Sequence, residues 1–169
     1  VYITLFFALF LGVQACGIYS FTGASIPSGA STFQVNFFEN QAGSRPGSTV
    51  EPGLDRDFTL ALQDIILGQT NLNIVNSGGD LVYEGEITQY SITPMTSTAN
   101  LTAAQNRLTM SVNLRYSNIN NEEDDFETSF SFFYDFPAEK QLYDIQGPAH
   151  DEIFERITQD IFNETLAKW

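Results

Sequence analysis

Between Leu108 and Tyr116 the residues Leu108, Met110, Val112, Leu114 and Tyr116 occupy every second position, separated by Thr109, Ser111, Asn113 and Arg115. Successive side chains of a strand point to opposite faces, so this period-two pattern gathers its apolar residues on one side only as β-structure. The chain must build a sheet with one dry and one wet face, and must supply apolar elements to cover the dry one. Phe126, Phe130, Phe132 and Tyr134 make the same demand, with Thr128 among them. The cover is read from two amphipathic stripes. Leu54, Phe58, Ala61, Leu62, Ile65 and Ile66 recur at steps of three and four, which predicts a helix from near Pro52 to Gly68. Ile153, Ile157 and Ile161, followed by Phe162, Leu166 and Trp169, predict a second helix over His150 to Trp169. Asp151 and Glu152 at its start and Lys168 at its end suit the helix dipole.

Phe33, Val35 and Phe37 alternate with Gln34 and Asn36, predicting a strand from Thr32 to Phe38. Two prolines and three glycines make Gln41 to Gly53 a loop. Leu72 to Val75, the turn Ser77-Gly78-Gly79-Asp80, and Leu81 to Ile92 are expected to form a hairpin, ended by Pro94. Asn118 to Asp125 is a polar, acidic turn. The order β-α-β-β-β-β-α leaves too few helices for parallel crossovers. It predicts an α+β fold with two helices on one face of a mainly antiparallel four- to five-stranded sheet, within a single domain spanning 32–169.

Ahead of that domain stands a different kind of segment. Val1 to Val13 is an uncharged, almost entirely apolar run of thirteen residues. A spanning helix needs about 20 residues, so the length fits the apolar core of a signal peptide instead. Such a signal also has a basic start, which is not in this sequence, so a few further residues are expected to precede Val1. Directly behind the run, Val13-Gln14-Ala15-Cys16-Gly17 looks like a bacterial lipobox, in which the cysteine is acylated and the chain is cut before it. Residues 1–15 are thus read as a lipoprotein signal peptide and Cys16 as the lipidated mature N-terminus. Gln14 departs from the small residue usual at that position. The Gly, Ser and Pro of residues 16–31 suit a flexible lipid-anchored tether.

Asp and Glu number 21 against 7 Lys and Arg, for a net charge of -14. That balance disfavours nucleic acid and anionic membrane surfaces as nonspecific partners. A single histidine, a single cysteine and no Gly-rich phosphate loop leave zinc sites, nucleophile triads and nucleotide folds without support. No catalytic residues, metal or cofactor are therefore assigned. Glu122 to Asp125 lacks the spacing of a calcium loop and suits a solvated turn that keeps strand edges from pairing. Glu84 and Glu86 lie two apart on one strand face, which without a third polar partner suits a wet sheet surface better than acid–base work. Arg107 and Arg115 project from the wet face of the cleanest strand. They are the candidate contact for a phosphate-bearing ligand, because arginine offers bidentate phosphate binding. Pairing with Glu84 or Glu86 on a neighbouring strand is the competing use of the same two side chains.

Several segments together carry a resemblance. They are Cys16-Gly17-Ile18-Tyr19-Ser20-Phe21-Thr22-Gly23, a strand followed by Phe38-Glu39-Asn40, Tyr83 through Pro94, Asn106-Arg107-Leu108-Thr109, Phe126-Glu127-Thr128-Ser129-Phe130, and Asp160-Ile161-Phe162-Asn163 through Trp169. In order and spacing the chain resembles the LptE family of lipopolysaccharide-assembly lipoproteins, in its Bacteroidetes form. The resemblance implies two helices on a four-stranded sheet and no catalysis. It also implies an outer-membrane lipoprotein on the periplasmic face that plugs and helps assemble the LptD β-barrel, with lipopolysaccharide as cargo. It brings no basic contact residues with it, so Arg107 and Arg115 become the candidate lipopolysaccharide contact on local grounds alone. A lipid-anchored periplasmic ligand-binding or transporter-auxiliary lipoprotein is the alternative from another class.

Overall fold

The computed structural model describes residues 24–95 and 105–167. In chain order they form β1 (Thr32–Val35), β2 (Glu39–Asn40), α1 (Leu54–Gln69), β3 (Asn73–Ile74), β4 (Leu81–Met95), β5 (Gln105–Asn118), β6 (Phe126–Pro137) and α2 (Leu142–Leu166). The expected signal peptide, Cys16 and the rest of the first half of the tether, Lys168 and Trp169 lie outside the described residues.

The α+β architecture is the expected one. β5 lies between β4 and β6 and is antiparallel to both, and both helices cover the same face. Leu108, Met110, Val112, Leu114 and Tyr116 are all buried beneath them. From α1, Leu54, Phe58, Leu62 and Ile66 enter that core, and from α2 Ile153, Ile157 and Ile161. Phe58 joins the layers edge-on, with ring centroids 5.3 Å from Phe38 and 5.8 Å from Phe154.

The sheet is mixed, with order β3-β1-β4-β5-β6, and β1 is parallel to both its neighbours. This corrects the expected hairpin. β3 and β4 do not pair with each other; they flank β1, and the segment between them crosses over it. Gly79 makes the crossing possible, because a Cβ there would stand 2.8 Å from the backbone nitrogen of Gln34. Unpaired backbone groups of β1 are what the crossing satisfies: Asn73 N donates to Ser31 O and Val75 N to Phe33 O. The helix between β1 and β3 is thus one parallel crossover that the element order had argued against. The expected strand from Thr32 to Phe38 also ends early, at Val35. Phe38 turns inward over Gly85, whose missing side chain would lie 2.8 Å from the Phe38 ring. β2 then resumes pairing with β4 in parallel, Glu39 opposite Glu86.

Two further departures have clear causes. Thr88 is skipped in the β4–β5 register, where Ile87 pairs with Val112 and Gln89 with Ser111. This bulge exchanges the faces of β4: the core takes Leu81, Tyr83 and Ile87 before it and Tyr90 after it. α2 begins at Leu142, eight residues before the predicted start, and runs through Gly147 and Pro148. A proline inside a helix costs about 3 kcal/mol. Burying Ile145 returns roughly 1.5–3 kcal/mol, Ala149 is buried on the same stripe, and a reciprocal cap between Gln141 and Asp144 secures the end. The steps of four from Ile145 through Ala149 to Ile153 were the signal for this longer helix.

Candidate functional site

Opposite the helices the sheet is open, and its side chains follow from the register. Each odd residue of β5 meets one residue of β4 and one of β6, so the face forms rows across three strands. Glu84, Arg115 and Glu127 make one such row, and Thr93, Arg107 and Asp135 another. Between them Asn113 donates to Glu86 Oε1 at 3.0 Å and to Glu127 Oε1 at 2.6 Å, and accepts from Ser129 Oγ at 3.2 Å. Ser111 Oγ lies 2.9 Å from Ser131 Oγ. On the β1 side, Gln34 donates to Asn36 at 2.6 Å and Asn36 to Glu84 at 3.2 Å. The face is therefore polar and largely bonded to itself.

Both candidate arginines lie on it, and both are engaged by carboxylates. Arg115 bridges Glu84, at 3.3 Å, and Glu86, at 2.9 Å, which is the cross-strand pairing weighed against a phosphate role. Partial burial opposes ionisation of Glu86, yet the bonds from Asn113 and Arg115 prevail and hold its carboxyl below the ordinary value. Arg107 pairs instead with Asp135, donating to each carboxylate oxygen at 2.7 Å. Its guanidinium carbon stands 3.6 Å from the centroid of Phe133, a cation–π arrangement. That hydrogen bond to Arg107 is the main reason the Asp135 carboxyl sits below its ordinary value. Sequence reasoning missed Asp135, Glu127 and Phe133, since only the β5–β6 register brings them opposite these positions.

The structure does not bring the two arginines together. Eight residues of extended strand separate them, roughly 27 Å at about 3.4 Å per residue. One phosphate group cannot touch both. Across the face these two cations meet four carboxylates, Glu84, Glu86, Glu127 and Asp135. Where β1 breaks, a cavity of about 260 Å³ opens beside β4, lined by Phe37, Glu39, Glu84, Glu86 and Arg115 among others.

The remaining chemistry-bearing residues are used internally. His150, expected near a helix terminus, lies inside α2 with its Nε2 2.8 Å from Tyr90 Oη and its ring stacked on Phe154. Burial lowers its pKa. Glu84 and Glu86 serve Arg115. Among the described residues no three His, Cys, Asp or Glu side chains group as a metal site, and no helix is long and apolar enough to cross a membrane.

The fold has known likenesses. A minor lipoprotein from Acinetobacter baumannii aligns over 83% of this chain and 98% of its own at 12% identity, with a TM-score of 0.45. Rare lipoprotein B from Shewanella oneidensis aligns over 78% and 89% at 12% identity, with a TM-score of 0.44. The PelC dodecamer subunit from Paraburkholderia phytofirmans aligns over 85% and 93% at 6% identity, with a TM-score of 0.50. At 6% identity the PelC likeness is one of fold alone. A comparison with curated proteins finds no match. The family model "LptE: Lipopolysaccharide-assembly" matches residues 30–165, from just before β1 to the last turn of α2. With the whole sheet, α1 and all of α2 but its final residue inside that match, the chain belongs to the LptE lipopolysaccharide-assembly family.

Proposed function

We propose that this lipopolysaccharide-assembly protein acts by plugging and helping to assemble an LptD-type outer-membrane β-barrel, without catalysing a reaction. The observation that carries the reading is the open face of the sheet. Barrel interiors of the outer membrane are polar, and a face whose guanidiniums and amides are already bonded to its carboxylates can lie against such a wall without burying an unpaired cation. In this reading residues 1–15 are a lipoprotein signal peptide, Cys16 carries the lipid anchor, and residues 16–31 tether the domain to the periplasmic face of the outer membrane. More than one acyl chain is needed for stable anchoring, so intact mass of the protein from its host should show leader loss and diacyl addition at Cys16.

The test of the plug is purification of the tagged, lipidated chain in mild detergent, with identification of its stoichiometric partner. A large barrel partner supports the reading. Recovery with a small bound lipid and no barrel would favour a transporter-auxiliary lipoprotein instead. Arg107 and Arg115 remain the proposed lipopolysaccharide contacts, as two separate sites, each of which must exchange a carboxylate for a phosphate. Arg107→Ala and Arg115→Ala should then each weaken lipopolysaccharide binding and reduce its salt sensitivity. If the double variant binds lipopolysaccharide with unchanged salt dependence while the barrel still co-purifies, the contact is lost and the plug survives.

A further inference from the structure

Among the described residues β6 has one sheet neighbour, β5, and its other side is an open edge. Which backbone groups lie on that edge follows from β4. Tyr83 O, Ile87 O and Tyr90 O accept from Asn36 N, Gln41 N and Thr49 N, so these three residues aim their backbone away from β5. Their β5 partners Tyr116, Val112 and Met110 therefore aim theirs at β6, where they meet Phe126, Phe130 and Phe132. The even residues of β6 thus bond to β5, and the N–H and C=O groups of Glu127, Ser129, Ser131, Phe133 and Asp135 point outward. All five residues are exposed, and no hydrogen bond among the described residues closes those groups. The strand is also undefended. Proteins blunt long edges with prolines, lysines, bulges or short strands. At the opposite edge β3 has two residues, whereas β6 runs for twelve without a bulge, lysine, glycine or internal proline. Its centre, Thr128 to Tyr134, holds no charge. An uncovered strand of this kind is a template for pairing.

We propose that β6 pairs antiparallel with an extended segment of a different protein, one that alternates apolar with hydroxyl-bearing residues and places a lysine or arginine opposite Glu127. Main-chain bonds to the five outward residues would supply affinity, and the two faces of the edge select the side chains. On the helix side Phe130, Phe132 and Tyr134 are half-buried and suit apolar neighbours, while on the open side Ser129 and Ser131 suit hydroxyls. Asp135 already shares its charge with Arg107, but Glu127 meets only the neutral Asn113, which leaves it to attract a cation. A second copy of this chain does not fit. Two-fold pairing centred on Ser131 sets Glu127 against Asp135, and centring on Phe130 sets Asp125 against Asp135. Centring on Phe132 brings together two copies of Arg156, whose guanidinium carbon lies 5.5 Å from the Phe132 ring centroid. A net charge of -14 adds repulsion in every register. The edge is distinct from the open face, so the proposal does not depend on the barrel reading.

The probe is the acetylated, amidated and fluorescently labelled peptide Thr-Phe-Thr-Val-Thr-Val-Thr-Phe-Lys, added to the full chain in mild detergent. Anisotropy should report binding. Amide hydrogen exchange should slow at Glu127, Ser129, Ser131, Phe133 and Asp135, while the alternate residues, already bonded to β5, change little. N-methylation of the central threonine of the peptide removes a donor to β6 and should weaken binding about tenfold. N-methylation of a flanking valine, whose N–H faces away, should not. Replacing the terminal lysine by glutamate should weaken binding by an amount that shrinks as salt rises. Ser131→Pro blocks the edge from the protein side without taking a bond from β5 and should weaken binding comparably; if that variant fails to fold, methylation of the peptide still decides. No binding overturns the proposal, as does binding indifferent to the position of methylation or protection without the alternation. A peptide-free chain that sediments as a dimer with those five amides already slow to exchange also overturns it and assigns the edge to a second copy. Barrel co-purification is read separately, so failure of either reading leaves the other standing.

Discussion

Asp80 and Thr32 hold each other three times: Asp80 Oδ2 accepts from Thr32 N at 2.9 Å and from Thr32 Oγ1 at 2.8 Å, while Asp80 N donates to Thr32 Oγ1 at 3.0 Å. Ser31 N adds a further bond to the same carboxylate oxygen at 2.8 Å. This clasp joins the starts of β4 and β1, two parallel strands that no hairpin connects. It also ends the segment that crosses β1, so the strand order of this edge depends on it.

The clasp predicts an acid-side loss of stability. Backbone donation from Ser31, then the Thr32 hydroxyl and the Thr32 backbone, hold the Asp80 carboxyl at about 2, against an ordinary 3.8. With the folded value the lower one, its contribution is complete above about pH 4 and disappears as the pH falls through about 2. Asp80→Asn should lower Tm at neutral pH and flatten the decline in Tm between pH 4 and 2. An equally steep acid decline in that variant would assign the effect to other carboxylates.

His150 predicts a second, milder pH dependence at higher pH. Burial is the largest influence and lowers its pKa from 6.5, despite the opposing carboxylates of Glu51, Asp57 and Asp151. The unfolded chain therefore binds the proton first as the pH drops, and stability present above about pH 6.5 declines below it. Replacement by Gln should remove the part of the Tm decline that sets in below pH 6.5. An imidazole titrating above 6.5 by NMR would contradict the buried, neutral ring.

Thr88 sets which side chains of β4 face the helices. Deleting it restores strict alternation, so either Leu81, Tyr83 and Ile87 or Tyr90 must turn to water. The deletion variant should lose near-ultraviolet circular dichroism and cooperative unfolding. Thr88→Ala keeps the chain length and should cost less than about 1 kcal/mol, as for a substitution outside the core.

Ile157 lies wholly buried at the middle of α2. Ile157→Ala should cost about 2–5 kcal/mol by cavity formation, measured by denaturant unfolding. Ile157→Asp buries an unpaired charge and should cost at least as much, or prevent folding. Unchanged thermal stability in either would mean that α2 does not cover the sheet.

Local pattern alone determined a good deal. Period two in β5 identified a strand with one wet and one dry face, steps of three and four identified both helices, and their count made the fold α+β. It also put Arg107 and Arg115 on the same face and raised Glu84 and Glu86 as partners, which holds for Arg115. These follow from the geometry of single elements, which a sequence carries within a few residues. Tertiary structure decided the rest. Whether Leu72–Val75 pairs with β4 or with β1 depends on the unpaired backbone of a strand some forty residues earlier, and no local signal encodes that. Arg107 found Asp135 because the β5–β6 register places them opposite one another. Helix α2 crosses Gly147 and Pro148 because Ile145 and Ala149 gain a core to enter, an energy that exists only once the sheet is in place. Tyr116 lacks a hydrogen-bond partner among the described residues for the same kind of reason: alternation sent it inward, but only the assembled end of the sheet decided what surrounds its hydroxyl.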